Sequence, residues 1–440
     1  NFWVTQQVGL SMLLAGLAGL FSSGTVVTLL VTQDVRGAAF PASEYGTECS
    51  VAAVSETDGC TCYGGADRRK AFLAAGKLDP NTVALDLGSY FNGGGLFFPI
   101  LRGNASAEFF AGAGYEAYGL AYRDYAAFVG TEGDADGTHS LAAHLARRRA
   151  LDPSLPLAAV SNLDLSGTAL APHVAPYTVL PLSGGMELAV ITLVDRANLM
   201  ANNPAIAQRV VGFRRALHVA LAALRRRPGG LPAVVALCLE GFHRLQFDYD
   251  SLDAAASSGN DATGTISEDS WAVLRQLVVE SDSIDVVLLS SVPIPERFSR
   301  PTTVQAWGGH HTLIVPGKSM GGAFLPYAKG GGGFYALNVT LALDANGRLL
   351  PNSSTAAAAL LDCDAPRDSG VRSRMLQWHG LMDAQLGVVG YLDANGARAG
   401  EADTTGSCVS LPAGDACGCY VAECAAGNLV ADAVRAHVGS

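Results

Sequence analysis

Apolar positions along this chain gather into short β-branched runs, and Ala- and Arg-rich stretches lie between them. The runs at 26–32, 82–87, 157–162, 188–194, 233–239, 284–290 and 312–315 predict strands. They are continuous rather than alternating, as strands buried on both faces are. Helices are predicted over 67–75, 106–113, 140–149, 204–226 and 270–280, with a further helical segment over 368–384 and a strand over 388–393. Alternation of the two at this spacing predicts an α/β architecture with largely buried sheets. Arg147-Arg148-Arg149 and Arg225-Arg226-Arg227 close two of the helices, where cations complement the dipole, and are read as solvated faces.

Two of the runs end in a distinctive way. Val27-Thr28-Leu29-Leu30-Val31-Thr32 leads into Gln33-Asp34-Val35-Arg36-Gly37, and Val83-Ala84-Leu85 leads into Asp86-Leu87-Gly88-Ser89-Tyr90-Phe91-Asn92-Gly93. Each presents polar side chains from a turn at the carboxyl end of a strand, where α/β proteins place their sites.

Composition narrows the class. With 440 residues, 49% hydrophobic and 16% charged, the chain is globular and long enough for two domains. A net charge of -11 argues against nucleic-acid binding, which needs a basic stripe. The glycine run Gly330–Gly333 lacks the Lys-Ser/Thr ending of a phosphate loop. Cys49, Cys60 and Cys62 cluster early, and Cys408, Cys417, Cys419 and Cys424 late. Their C-x-C spacings are not those of zinc sites, so they are read as disulfide candidates. Sequons at Asn104, Asn338 and Asn352 are glycosylation candidates and agree with an oxidising, extracytoplasmic location. Residues 8–21 form an apolar run that is too short to cross about 30 Å of hydrocarbon and looks like the core of a signal peptide.

In this order the segments resemble the 5′-nucleotidase family of secreted or surface metallophosphoesterases. Gln33–Gly37 is similar to that family's N-D-x-H-G, and Asp86–Gly93 to its D-A-G-D-x-x-x-G. The stretch 114–125, Gly114-Tyr115-Glu116-Ala117 through Tyr122-Arg123-Asp124-Tyr125, is similar to G-Y-D-A-x-x-L-G-N-H-E-F. Ala236–Phe242 and Asp285–Pro293 are similar to two later segments that carry histidine ligands in the family. Cys62–Arg69 is similar to its C-x-G-G-x-x-R helix entry, and Glu423–Ala433 to the E-C-x-x-G-N-L-I-x-D-A helix of its C-terminal domain.

The resemblance implies a four-layer sandwich of two mixed sheets flanked by helices. A linker helix and the opening of a 5′-nucleotidase C-terminal domain, incomplete in this chain, would follow. The expected divisions are a leader at 1–24, the metallophosphoesterase-like domain at 25–351, linker and helix at 352–387, and the C-terminal opening at 388–440. In the family two divalent metals such as zinc polarise a phosphate ester and activate water.

Carried over position by position, only Asp34 remains of that ligand set. Arg36 stands at the first His, Ser89 at the bridging Asp, and Tyr122, Arg123 and Asp124 in the N-H-E slots. Leu239, Ser291 and Pro293 stand at the later His positions. Arginine keeps its proton in proteins and donates no lone pair to a metal.

The expectation is therefore a pseudoenzyme without a metal cofactor, acting in binding or structure at the cell surface or outside the cell. The alternative is an active nucleotide phosphohydrolase with an altered site. Arg36 and Arg123 are expected either to pair with Asp34 and Asp124 or to bind an anion. Candidate partners are a nucleotide, phosphate or an extracellular protein. His310-His311, just before a strand, could turn at most one side chain to a given site and is assigned a loop or core role, and His243 is read as a hydrogen-bonded helix residue.

Overall fold

The structure is a computed structural model and describes residues 24–43, 49, 62–91, 101, 103–129, 134–240, 268–290, 300–317 and 334–386. The leader, His243, the glycine run, Ser291, Pro293, the late motif at 423–433 and all the candidate cysteines except Cys49 and Cys62 lie outside them.

In chain order the elements begin with β1 (Thr25–Thr32), α1 (Ala66–Gly76), β2 (Thr82–Asp86), α2 (Asn104–Ala113), β3 (Ala117–Tyr118), α3 (Tyr122–Ala126) and α4 (Thr138–Leu151). Next come β4 (Ala158–Ala159), β5 (Val174–Ala175), β6 (Thr178–Pro181), β7 (Glu187–Val194), α5 (Arg196–Asn202), α6 (Pro204–Ala207) and α7 (Phe213–Arg225). The last are β8 (Val234–Glu240), α8 (Glu268–Glu280), β9 (Val286–Ser290), β10 (Thr302–Gln305), β11 (His311–Pro316), β12 (Tyr335–Leu343), β13 (Thr355–Leu360) and α9 (Ser369–Leu386).

Two mixed sheets result. One has the order β13-β12-β1-β2-β3, antiparallel from β13 to β1 and parallel from β1 to β3. The other has the order β10-β11-β9-β8-β7-β6, parallel from β11 to β7 and antiparallel at both edges. A short parallel pair, β4-β5, stands apart. Val27, Leu29 and Val31 of β1 face Val190 of β7, Ala236 of β8 and Leu288 of β9 in a core between the sheets. The opposite faces pack under helices. Leu30 and Ala84 meet α1 and α2, while Ile191, Leu237 and Leu289 meet α7 and α8. Each fully buried Val or Leu contributes about 1.5–3 kcal/mol, so these three layers of contact hold the four-layer arrangement together. The expected α/β sandwich of two mixed sheets is what forms.

Three expectations change. The helix expected over 204–226 is two helices. The β-branched pair Val210-Val211 leaves the helix to meet Leu163 and the Asn162 carbonyl, and Gly212 then opens α7. The run at 157–162 contributes only Ala158–Ala159 as strand. No strand was expected over 335–343, yet β12 lies beside β1 in the first sheet. Its signal was alternation: Tyr335, Leu337, Val339, Leu341 and Leu343 enter the inter-sheet core, with smaller or polar residues between them.

The segment 352–387, expected as linker and helix, supplies the edge strand β13 before α9. The first compact unit of the chain runs to Leu376 and the second is Gln377–Ser440. Among the described residues, no helix is long and apolar enough to cross a membrane.

Candidate functional site

β1 and β2 run parallel, with Thr32 beside Asp86 in register, so their carboxyl-end turns lie side by side. Backbone bonds tie the two turns together: the Asp34 N–H donates to the Gly88 carbonyl (3.1 Å) and the Arg36 N–H to the Ser89 carbonyl (2.9 Å). Asp34, Arg36 and Ser89 have φ of 52°, 55° and 57°, and they are the non-glycine residues of positive φ among the described residues. Left-handed backbone at such residues costs roughly 1–3 kcal/mol each and gathers where side-chain presentation matters. Two motifs far apart in sequence thus converge on one strained platform.

Asp34 stands at its centre, 1% exposed. Arg36 grips it with both arms of its fork, Nε to Oδ1 at 2.8 Å and Nη2 to Oδ2 at 2.7 Å. Arg123 approaches the same carboxylate, with Nε 3.8 Å from Oδ1 and making no hydrogen bond of its own. Its guanidinium carbon lies 5.0 Å from the centre of the half-buried Tyr122 ring.

Of the two carboxylates expected to meet these arginines, Asp34 does so and Asp124 is taken up by the backbone. Asp124 is fully buried and accepts four backbone N–H groups. Oδ2 receives those of Ser89 (2.8 Å) and Ala121 (2.9 Å), and Oδ1 those of Tyr90 (2.9 Å) and Phe91 (3.2 Å). Burial pushes its pKa up while these donors oppose the rise. One carboxylate therefore answers both arginines, and the other holds the Ser89 turn in shape.

Behind the turn lies Asp86, its Oδ2 2.6 Å from the Thr32 hydroxyl, which is itself 2.7 Å from the Tyr115 hydroxyl. Its Oδ1 accepts the Gly88 N–H at 3.0 Å. Burial raises the Asp86 carboxyl to about 7, and the hydrogen bonds from Thr32 and Gly88 pull against that rise. The folded value exceeds the unfolded one of about 3.9, so the fold favours the protonated form. That contribution is complete below about pH 4 and is lost as pH rises through about 7, a loss on the order of 4 kcal/mol. Asp86→Asn, neutral at every pH, is expected to remove this fall. Urea midpoints at pH 5 and pH 8 check it: the wild type drops more between them than the variant. Equal drops would count against the assignment.

Arg148 lies beneath the same platform and corrects the solvated-face reading of the triplet 147–149. Arg147 and Arg149 are exposed, but Arg148 is 1% exposed. Its guanidinium carbon sits 3.0 Å from the ring centre of Phe110, 4.3 Å from that of Tyr118 and 5.0 Å from that of Phe91. Its Nε and Nη2 make no hydrogen bond. The available signal was helical spacing: Leu141, His144, Leu145 and Arg148 form one buried face of α4. His144 on that face is held neutral, burial lowering its pKa to about 3.

The remaining expected positions divide. Ser89 is at the platform and fully buried, its hydroxyl without a hydrogen-bond partner. Leu239 packs toward α7 and α8 in the outer core, so its side chain belongs to that layer rather than to the platform. Gln33, which sequence reasoning did not single out, donates to the Tyr335 hydroxyl at 3.2 Å. A Cβ on Gly317 would come within 2.6 Å of Gln33 Nε2 and 2.9 Å of the Leu289 carbonyl, so glycine there permits the ends of the two sheets to meet. His310 has the expected structural role, its Nε2 3.0 Å from the Ile284 carbonyl and 3.3 Å from Asp285 Oδ1. Cys49 and Cys62, two of the seven disulfide candidates, are bonded to each other, and Cys363, not among the candidates, is disulfide-bonded too.

These side chains do not fit a dinuclear metal centre. Both Asp34 oxygens are engaged by Arg36, and the bridging position offers only the Ser89 hydroxyl. Among the described residues, no group of three or more His, Cys, Asp or Glu side chains is placed to hold a metal ion. A cation about 4 Å from a guanidinium is opposed by roughly 4 kcal/mol per unit charge at an effective dielectric of 20.

Solved structures of other proteins share this fold. The chain is similar to the 5′-nucleotidase precursor of Thermus thermophilus, at 18% identity over 82% of this chain and 59% of that one, with a TM-score of 0.57. It is also similar to the NAD nucleotidase of Haemophilus influenzae, at 12% identity over 82% of this chain and 61% of that one, with a TM-score of 0.54. The chain thus spans about three fifths of each. No protein-family model matches the sequence, and no curated protein does.

Proposed function

We propose, taking as premise that this chain carries the fold of 5′-nucleotidases and calcineurin-like metallophosphoesterases, that it is a pseudoenzyme of that fold. It works outside the cell or at its surface, in binding or structure rather than in hydrolysis. The observation that carries the reading is the bidentate grip of Arg36 on Asp34, with Arg123 beside it. A permanently charged fork occupies the carboxylate that a metal would require. Arg123 is 30% exposed along its side chain, and its fixed positive charge suits it to an incoming oxyanion such as phosphate or the phosphate of a nucleotide.

The test has two arms. After incubation with excess zinc or manganese and desalting, the purified chain is expected to retain less than stoichiometric metal, and to show no AMP hydrolysis above a protein-free control. In calorimetry, inorganic phosphate and AMP are expected to bind, and Arg123→Ala to weaken both about tenfold, the worth of one charge-assisted contact. Stoichiometric metal with turnover would establish instead an active phosphohydrolase with an altered site. Absence of phosphate and AMP binding in a folded, metal-free chain would leave the structural role and remove the anion role.

A further inference from the structure

The first sheet is not covered evenly on its helix side. At Leu30 of β1 the cover is close, since a Cβ on Gly76 at the end of α1 would come within 2.3 Å of Leu30 Cδ1. One strand over, opposite Leu30 in register, is Asn338 of β12, and Asn338 is exposed. Beyond it Ala357 of β13 is exposed as well. With the exposed Val26 and Thr355 and the half-buried Thr28 and Thr340, these residues make an open, uncharged patch on the outward face, while Ala336 and Ala342 on the same side of β12 are buried.

This face contains the sequon Asn338-Val339-Thr340. Alternation along β12 sends Val339 into the inter-sheet core and puts Asn338 and Thr340 on the outward side together. The two other sequons sit differently. Asn104 is half-buried in the first turn of α2. Asn352 is exposed in the turn before β13, and the hydroxyl of its Ser354 is buried and used by the backbone, 2.9 Å from the Leu350 carbonyl and 3.0 Å from the Ala342 N–H.

We infer that Asn338 is an N-glycosylation site and that its oligosaccharide covers the open part of the outward face around it on β12 and β13. An uncharged open sheet face is an association hazard, and a bulky hydrophilic glycan rooted at its middle shields it. The inference rests on the extracytoplasmic reading proposed above, since N-linked glycans are added in the secretory pathway.

The experiment uses the full chain secreted from cultured eukaryotic cells behind a heterologous leader. The folded product is treated with peptide-N-glycosidase in ¹⁸O-water, which marks each formerly glycosylated asparagine as labelled aspartate in peptide mass spectra. Label at Asn338 in most molecules is expected, and Asn338→Gln and Thr340→Ala should each remove one glycan step in gel mobility. Secreted protein labelled at Asn352 but not at Asn338 overturns this inference alone. Secreted protein unlabelled at all three sequons overturns it as well, while the extracytoplasmic reading, which the leader imposes here, stands or falls on other grounds.

Discussion

Replacing Asp124 with alanine is expected to cost the fold about 4 kcal/mol or more, which is a large part of a typical domain's stability. Four backbone N–H groups, those of Ser89, Tyr90, Phe91 and Ala121, converge on this one fully buried carboxylate. Alanine leaves all four inside the protein without an acceptor, and each stranded buried donor costs about 1–3 kcal/mol. Asp124→Asn sharpens the test. Its amide oxygen can keep one pair of donors, but its NH₂ group points at the other pair, so asparagine should recover no more than half of the loss. Denaturant unfolding of the three proteins at one pH measures this. An Asp124→Ala variant within about 1 kcal/mol of wild type would mean that the Ser89 turn holds its shape by other means.

A second large effect is expected at Arg148, and there the sign depends on the substitution. Arg148→Ala opens a cavity among Phe91, Phe110 and Tyr118 and discards the cation–π contacts, a loss of about 3–5 kcal/mol. Arg148→Met keeps most of the volume while removing a buried charge whose Nε and Nη2 have no hydrogen bonds. Replacing buried charge by apolar groups of similar size is often neutral or stabilising by about 1–4 kcal/mol, so methionine should match or exceed the wild type. Melting the three proteins side by side decides it. If methionine falls as far as alanine, the guanidinium is stabilising through its field on the nearby Asp86 and Asp124 carboxyls.

Much of this architecture was legible in the sequence because buried parallel strands announce themselves as continuous apolar runs. β1, β2, β7, β8, β9 and β11 all fall within or beside such runs. β12 did not stand out in this way. It lies between two antiparallel neighbours with one face open, so it alternates, and Asn338 and Thr340 diluted its apolar content.

At the site, the position of Asp34 and the intrusion of Arg36 and Arg123 could be read from spacing. The partners could not. Which carboxylate meets which arginine depends on the left-handed turns at Asp34, Arg36 and Ser89, and those rest on backbone bonds between segments more than 50 residues apart, such as Asp34 N–H to the Gly88 carbonyl. The same limit hid Arg148. Three arginines in a row read as a solvated helix end, and only the rotation of α4 against α2 turns the middle one inward.

The left-handed turns carry one more consequence. Their geometry is maintained by Asp124, Asp86 and main-chain bonds, none of which depends on what the side chains at 36, 89 and 123 are. Refitting this platform with donors for a cation is therefore an exercise in exchanging side chains on an existing mount. The two turns at the ends of β1 and β2 would not themselves have to be rebuilt.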